Sequence, residues 1–229
     1  MSDAVHFTAT RIGPTPLLLA QRTGAATPLP AVFWFHGFGV DKETHRKELA
    51  QLADAGFLAV GVDAAGHGER RLPDLDARIA APREEAKQTM RELALQTAAE
   101  LPLLIDELVR RGLATERVGV AGVSMGGYLT YKAAVTYPRV RAAVSILGAP
   151  ELLSQEERAS FVTNGVALLS INGEKDVNVP PDEARAFHAT LPGERHRYLE
   201  LAGAEHLVSA EQWTVAMNAT LAWLRAALP

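Results

Sequence analysis

Short, mostly apolar runs recur along the chain at 31–35, 57–62, 118–123, 140–147 and 166–171. None alternates apolar with polar residues, so each predicts a strand buried on both faces. The stretches between them carry apolar residues at helical spacing. After Asp41, a residue type that caps helices, Leu49, Leu52 and Ala53 share one face of a helix that stops at Gly56. The periodicity predicts further helices over 84–112, with Pro102 expected to kink it, and over 128–135, 181–191 and 208–228. Residues 5–12 and 17–21 read as an antiparallel pair interrupted by Gly13-Pro14 and Pro16, and 197–201 as a last strand. Segments 69–82 and 151–161 show no clear period and read as polar excursions. Alternating buried strands and helices predict an α/β fold, with a mostly parallel sheet of about eight strands covered on both faces.

In such sheets ligands bind beyond the carboxyl ends of the strands. The polar residues flanked by glycine or alanine fall there: His36, Asp63, His67, Ser124, Asp176 and His206. Ser124 lies in Gly122-Val123-Ser124-Met125-Gly126, between an apolar strand and a helix. Gly-x-Ser-x-Gly in that context predicts a strained turn that lifts a nucleophilic serine to the sheet edge. A serine hydroxyl needs a base in reach, and the base an orienting acid. His206, in a small-residue loop before the last helix, is the expected base. Asp176 is the expected acid, preferred over Glu174 and Asp182 because it stands in a tight turn. The order Ser, Asp, His is that of α/β-hydrolases.

An acyl transfer also needs donors for the developing oxyanion. The N–H of Met125, at the start of a helix, and that of Phe38, in His36-Gly37-Phe38-Gly39, are the expected pair. His36, His67 and Leu152 are candidate substrate-pocket residues, alongside walls from Phe38 and Met125. His36 reads more as a residue that ties its loop down by hydrogen bonds, and Asp63 and His67 more as a buried polar network beside the oxyanion donors than as substrate contacts. His45, His188 and His196 read as surface histidines.

Composition removes whole classes of alternative. The chain of 229 residues has no cysteine, which excludes disulfides, thiolate catalysis and cysteine-held metals. No metal-binding histidine spacing occurs, no P-loop or dinucleotide glycine pattern is complete, and no metal or cofactor is expected. A net charge of −4 without a basic run argues against nucleic acid and membrane partners. No basic segment followed by an apolar core opens the chain, so the expectation is a cytoplasmic protein, monomer or homodimer. It is expected to form one domain over 1–229, with a small lid or none and candidate flaps at 69–88 and 151–161.

Taken together, His36-Gly37-Phe38, Asp63 with His67-Gly68, the Gly122–Gly126 elbow and Gly173 with Asp176, Val179 and Pro180 resemble small bacterial carboxylesterases. These lie near the dienelactone hydrolase and prolyl oligopeptidase catalytic-domain branch of the α/β-hydrolases. The resemblance implies a Ser124–His206–Asp176 triad and a small-molecule ester substrate with a short acyl chain. Dienelactone hydrolases proper use a cysteine nucleophile, and here the position is Ser124. A thioesterase, a peptidase or a carbohydrate-ester deacetylase would use the same constellation. A non-catalytic scaffold would predict a broken one.

Overall fold

The apolar runs become the middle of the sheet. A computed structural model describes residues 5–228. Its eight strands are β1 (Val5–Ile12), β2 (Thr15–Arg22), β3 (Leu29–Phe35), β4 (Leu58–Val62), β5 (Ala114–Val123), β6 (Val140–Ile146), β7 (Ala167–Gly173) and β8 (His196–Leu201). They form one sheet in the order β1-β2-β4-β3-β5-β6-β7-β8. β1 and β2 run antiparallel, and β2 meets β4 antiparallel. Every pairing from β4 to β8 is parallel. β3 carries Phe33, Trp34 and Phe35 fully buried on alternating faces, which is why its sequence shows no polar alternation.

Seven α-helices cover the two faces. α1 (Arg46–Asp54) and α7 (Ala210–Ala227) lie on one side, where Leu49, Leu52, Met217 and Leu224 pack on Val32, Trp34 and Val144. The other side is covered by α3 (Arg83–Arg110) and α4 (Met125–Thr136), with Leu101, Ile105 and Leu129 packing on Phe33, Phe35 and Val120. α2 (Leu75–Ile79) is one short turn, and α5 (Gln155–Thr163) and α6 (Asp182–Ala189) flank α4. α3 remains one helix through Pro102. None of the described helices is long and apolar enough to cross a membrane.

Two segments without apolar period contain helices. Within 151–161, Ser154 accepts from the Glu157 N–H while the Glu157 carboxylate accepts from the Ser154 N–H. This reciprocal cap starts α5 without a strong apolar stripe, because only Phe161 is fully buried. In 69–82, Leu75 is buried against Ala65 and Leu93, and that satellite core holds α2.

The strand order reverses between β3 and β5. From β3 the chain steps to β4 on one side, then crosses back to β5 on the other. Loops leaving two adjacent strands in opposite directions open a crevice at their carboxyl ends. The loop after β3 contains His36 to Gly39, and the turn after β5 contains Ser124.

Candidate active site

Ser124 sits at the apex of the β5–α4 turn with φ +55° and ψ −116°, a left-handed conformation rare for a residue with a side chain. The flanking glycines are required by close approach. A Cβ on Gly122 would stand 2.5 Å from the Gly126 carbonyl oxygen, and one on Gly126 would stand 2.1 Å from the Phe35 carbonyl oxygen. Only hydrogen fits at either point, so α4 starts directly against the end of β3.

The serine hydroxyl lies 3.0 Å from His206 Nε2. His206 Nδ1 lies 2.7 Å from Asp176 Oδ2. With Nδ1–H donating to the carboxylate, Nε2 is free to accept from the Ser124 hydroxyl. Asp176 is 2% exposed, and its other oxygen accepts from the N–H groups of Asn178 at 2.9 Å and Val179 at 2.8 Å. These three bonds fix the carboxylate. The base loop is tied to the acid loop as well. Lys175 N–H donates to the Ala204 carbonyl, and a Cβ on Gly173 would stand 2.6 Å from that same oxygen. The rival acids point elsewhere: Glu174 accepts from the Gly203 N–H, and Asp182 pairs with Arg185.

The loop after β3 closes on the serine. A Cβ on Gly37 would touch Ser124 Cβ at 3.8 Å. The N–H groups of Phe38 and Met125 donate to no other described protein group, while the neighbouring Gly39 N–H is taken by His67 Nε2 at 3.1 Å. Phe38, Ser124, Met125 and His206 line one cavity of about 500 Å³.

His36, His67 and Leu152 do not line it. His36 and His67 are fully buried beneath the loops, and Leu152 packs into the core against the α3–α4 side of the sheet. The imidazoles serve as clamps. His36 Nε2 accepts from the Ala64 N–H, and its Nδ1–H donates to the Gly37 carbonyl. His67 Nδ1–H donates to the Ala65 carbonyl. Burial lowers His36 to about 4 and lowers His67 in the same direction, so both stay neutral with the acceptor nitrogen bare. Asp63 completes the clamp: it accepts from the Lys42 N–H and ammonium and from the Glu69 N–H, and is held below the usual carboxylate range despite burial, which acts the other way.

The three surface expectations also fail. His45 packs between Trp34 and Trp213 with its ring tilted to both, and His188 is half-buried, bonded to Ser170 Oγ at 2.7 Å and pushed down to about 4 by burial. His196 is half-buried too, with Nδ1 on the Pro192 carbonyl. Each lies against an aromatic or a core strand that the one-dimensional pattern does not reveal.

The remaining cavity wall comes largely from 79–90: Ile79, Ala81, Arg83, Ala86, Lys87 and Met90, with Tyr128, Asn178 and Val179 opposite. Of the two candidate flaps, 69–88 contributes to the cavity and 151–161 does not. Arg83 donates to the carbonyls of Val177 and Asn178, and Lys87 pairs with Glu151. Tyr128 was findable in sequence: one helical turn beyond Ser124 on the same helix, it faces the same side.

A serine raised on a strand-to-helix turn, a histidine and a buried aspartate on later strand ends, and this strand order define the α/β-hydrolase fold. Residues 17–226 match the dienelactone hydrolase family, and the chain belongs to it. YitV of Bacillus subtilis (strain 168), named as a candidate esterase, is 34% identical over 132 residues, covering 56% of this chain and 49% of YitV. Esterase YjfP of Escherichia coli (strain K12) is 28% identical over 145 residues, 63% of this chain and 55% of YjfP. The chain thus spans about half the length of these curated relatives. The dienelactone hydrolase structure from Anabaena variabilis ATCC 29413 superposes with a TM-score of 0.73 at 21% identity, covering 99% of both chains. At that identity the likeness is one of fold.

Proposed function

We propose that this chain is a serine hydrolase that cleaves carboxylic esters with short acyl groups through an acyl-enzyme. The observation that carries the reading is the continuous hydrogen-bond path from Ser124 Oγ to His206 Nε2 and from His206 Nδ1 to Asp176 Oδ2. In the proposed reaction His206 takes the Ser124 proton as Oγ attacks the ester carbonyl carbon. The carbonyl oxygen becomes an oxyanion held by the free N–H groups of Phe38 and Met125, each donor contributing ~3 kcal/mol to the transition state. The C–O bond to the alcohol breaks, and His206 returns the proton to the departing oxygen. Water then attacks the acyl-enzyme with His206 again as base, releasing the acid and restoring Ser124. Asp176 holds the imidazole tautomer and stabilises the imidazolium.

A cavity of about 500 Å³, bounded inward by Met90, Tyr128 and Val179, supports a modest acyl group. The test is a fluorophosphonate probe with the adduct located by mass spectrometry, and p-nitrophenyl esters of increasing chain length. Label on Ser124 and loss of turnover in Ser124→Ala are expected. An unlabelled Ser124, or ester turnover by Ser124→Ala equal to that of the unaltered chain, overturns the reading.

A further inference from the structure

The four tyrosines of the chain differ in one respect. Tyr131 bonds Ser170 Oγ at 2.5 Å, Tyr137 donates to Asp106 at 2.5 Å, and Tyr198 donates to Glu200 at 2.7 Å. The Tyr128 hydroxyl makes no hydrogen bond to a described protein group; the residue as a whole is only 2% exposed, yet the hydroxyl oxygen itself is not sealed in. Its side chain lines the cavity that holds Ser124 and His206. It is anchored there by its own backbone, whose N–H donates to the Ser124 carbonyl at 3.1 Å. A hydroxyl that opens onto a cavity without a protein partner is free to donate to what occupies it, and an occupant that seals it without accepting leaves it unpaired at a cost. Here only the contents of the cavity remain.

We infer that Tyr128 is a specificity-determining residue, its hydroxyl donating to a neutral oxygen carried by the substrate's acyl chain. The inference rests on the proposed ester hydrolysis and names its substrate class: alkoxy-, oxo- or hydroxyacyl esters in preference to plain alkanoyl ones.

The side of the substrate follows from the mechanism. His206 must protonate the leaving alcohol, so the alcohol lies against His206, next to the fully exposed Leu207. The acyl group then points the other way, between Met90, Met125 and Tyr128. The oxygen is neutral because the cations of this wall are already engaged. Lys87 and Arg91 both hold Glu151, and Arg83 holds two backbone carbonyls. Burial, reinforced by Glu151 and Glu183, raises the Tyr128 hydroxyl above the ordinary tyrosine range. It therefore acts as an O–H donor and not as a base. Beside Met90 and Met125, and with the cations engaged elsewhere, that one donor is selective, because an alkyl chain leaves it unpaired.

The test compares p-nitrophenyl hexanoate with its 3-oxa, 4-oxa and 5-oxa analogues, in which an ether oxygen replaces one methylene. Each kcat/KM is divided by the rate of alkaline hydrolysis of the same ester, which removes the inductive effect of the oxygen. At least one oxa ester is expected to exceed hexanoate by about five- to tenfold, the worth of one hydrogen bond. In Tyr128→Phe that ratio falls to about one. If Tyr128→Phe does not fold, as judged by circular dichroism and thermal unfolding, Tyr128→Met replaces it. No oxa preference in the unaltered chain, or a preference that survives loss of the hydroxyl, overturns the inference while hexanoate hydrolysis dependent on Ser124 still stands. If none of the esters is turned over, the proposed function falls and this inference with it.

Discussion

Substituting Gly126→Ala asks how far the site depends on α4 starting against β3. The added Cβ would stand 2.1 Å from the Phe35 carbonyl oxygen, 2.6 Å from its carbon and 2.9 Å from its Cβ. A carbon rests about 3.3 Å or more from a carbonyl oxygen, so helix and strand must part by about 1.2 Å. Two of these atoms are backbone and cannot rotate away. The strain of such overpacking is about 3 kcal/mol, and the better helix propensity of alanine returns about 1 kcal/mol, leaving a net loss of about 2 kcal/mol. In a chain of this size that lowers Tm by roughly 4–8 °C. The functional effect is larger. Phe35 leads directly into His36 to Gly39, and Gly126 follows Ser124 by two residues, so the gap opens between the proposed nucleophile and the proposed oxyanion donor Phe38. A displacement of about 1 Å at reacting groups costs about 100-fold in rate. Gly119→Ala is the control. Its Cβ would meet Leu228 Cδ1 at 2.8 Å and Leu224 Cδ2 at 3.1 Å, both tips of movable side chains on the opposite face. It should keep kcat/KM near that of the unaltered chain and lose about 1 kcal/mol at most. The measurements are p-nitrophenyl butyrate kinetics and thermal unfolding of both variants. A Gly126→Ala protein within about threefold of the unaltered kcat/KM, or a Gly119→Ala protein equally damaged, refutes the reasoning.

Asp176→Asn keeps an oxygen for the Asn178 and Val179 N–H groups but presents an amide N–H to His206 Nδ1. The imidazole then carries its proton on Nε2, and kcat should fall ~10⁴-fold with little change in KM. Ser124→Gly and Ser124→Ala should both abolish turnover, yet the glycine variant should be about 1 kcal/mol more stable in urea unfolding, because it alone adopts φ +55° without strain; equal stability would show the turn to be relaxed. The folded chain holds His36 at about 4 against 6.5 for a free imidazole, so between those values the unfolded chain binds a proton that the folded chain does not. Stability from this group is complete above pH 6.5 and declines as pH falls toward 4, by about 3 kcal/mol over the window. His36→Gln should flatten that slope in unfolding measurements across pH 7 to 4, and identical slopes would contradict a buried neutral His36.

The chain's one-dimensional pattern carried a large share of this result. Apolar runs such as 31–35 and 57–62 read as strands covered on both sides, and their alternation with helical segments points to a mostly parallel sheet with helices on each face. The turn chemistry around Ser124 and the order of Asp176 and His206 were legible because side chains that act at strand ends must be flanked by residues small enough for loops to meet. Packing across the sheet was not legible. The sequence leans toward His36 and His67 as loop-fixing residues over pocket walls without deciding between them. The difference is made by the Ala64 and Gly39 N–H groups, which come from loops on different strands. His45 between two tryptophans and His188 on Ser170 escaped for the same reason. α5 rests on a cap and one buried phenylalanine, too little for a periodic signal. The cavity wall from 79–90 is likewise a tertiary outcome, since it exists only where the start of α3 crosses the ends of β3 and β5. Sequence determines which residues are able to act, because local sterics and chain order constrain them. Which groups share a cavity, and which are sealed beneath it, depends on contacts between segments far apart in the chain, and only the folded structure decides those.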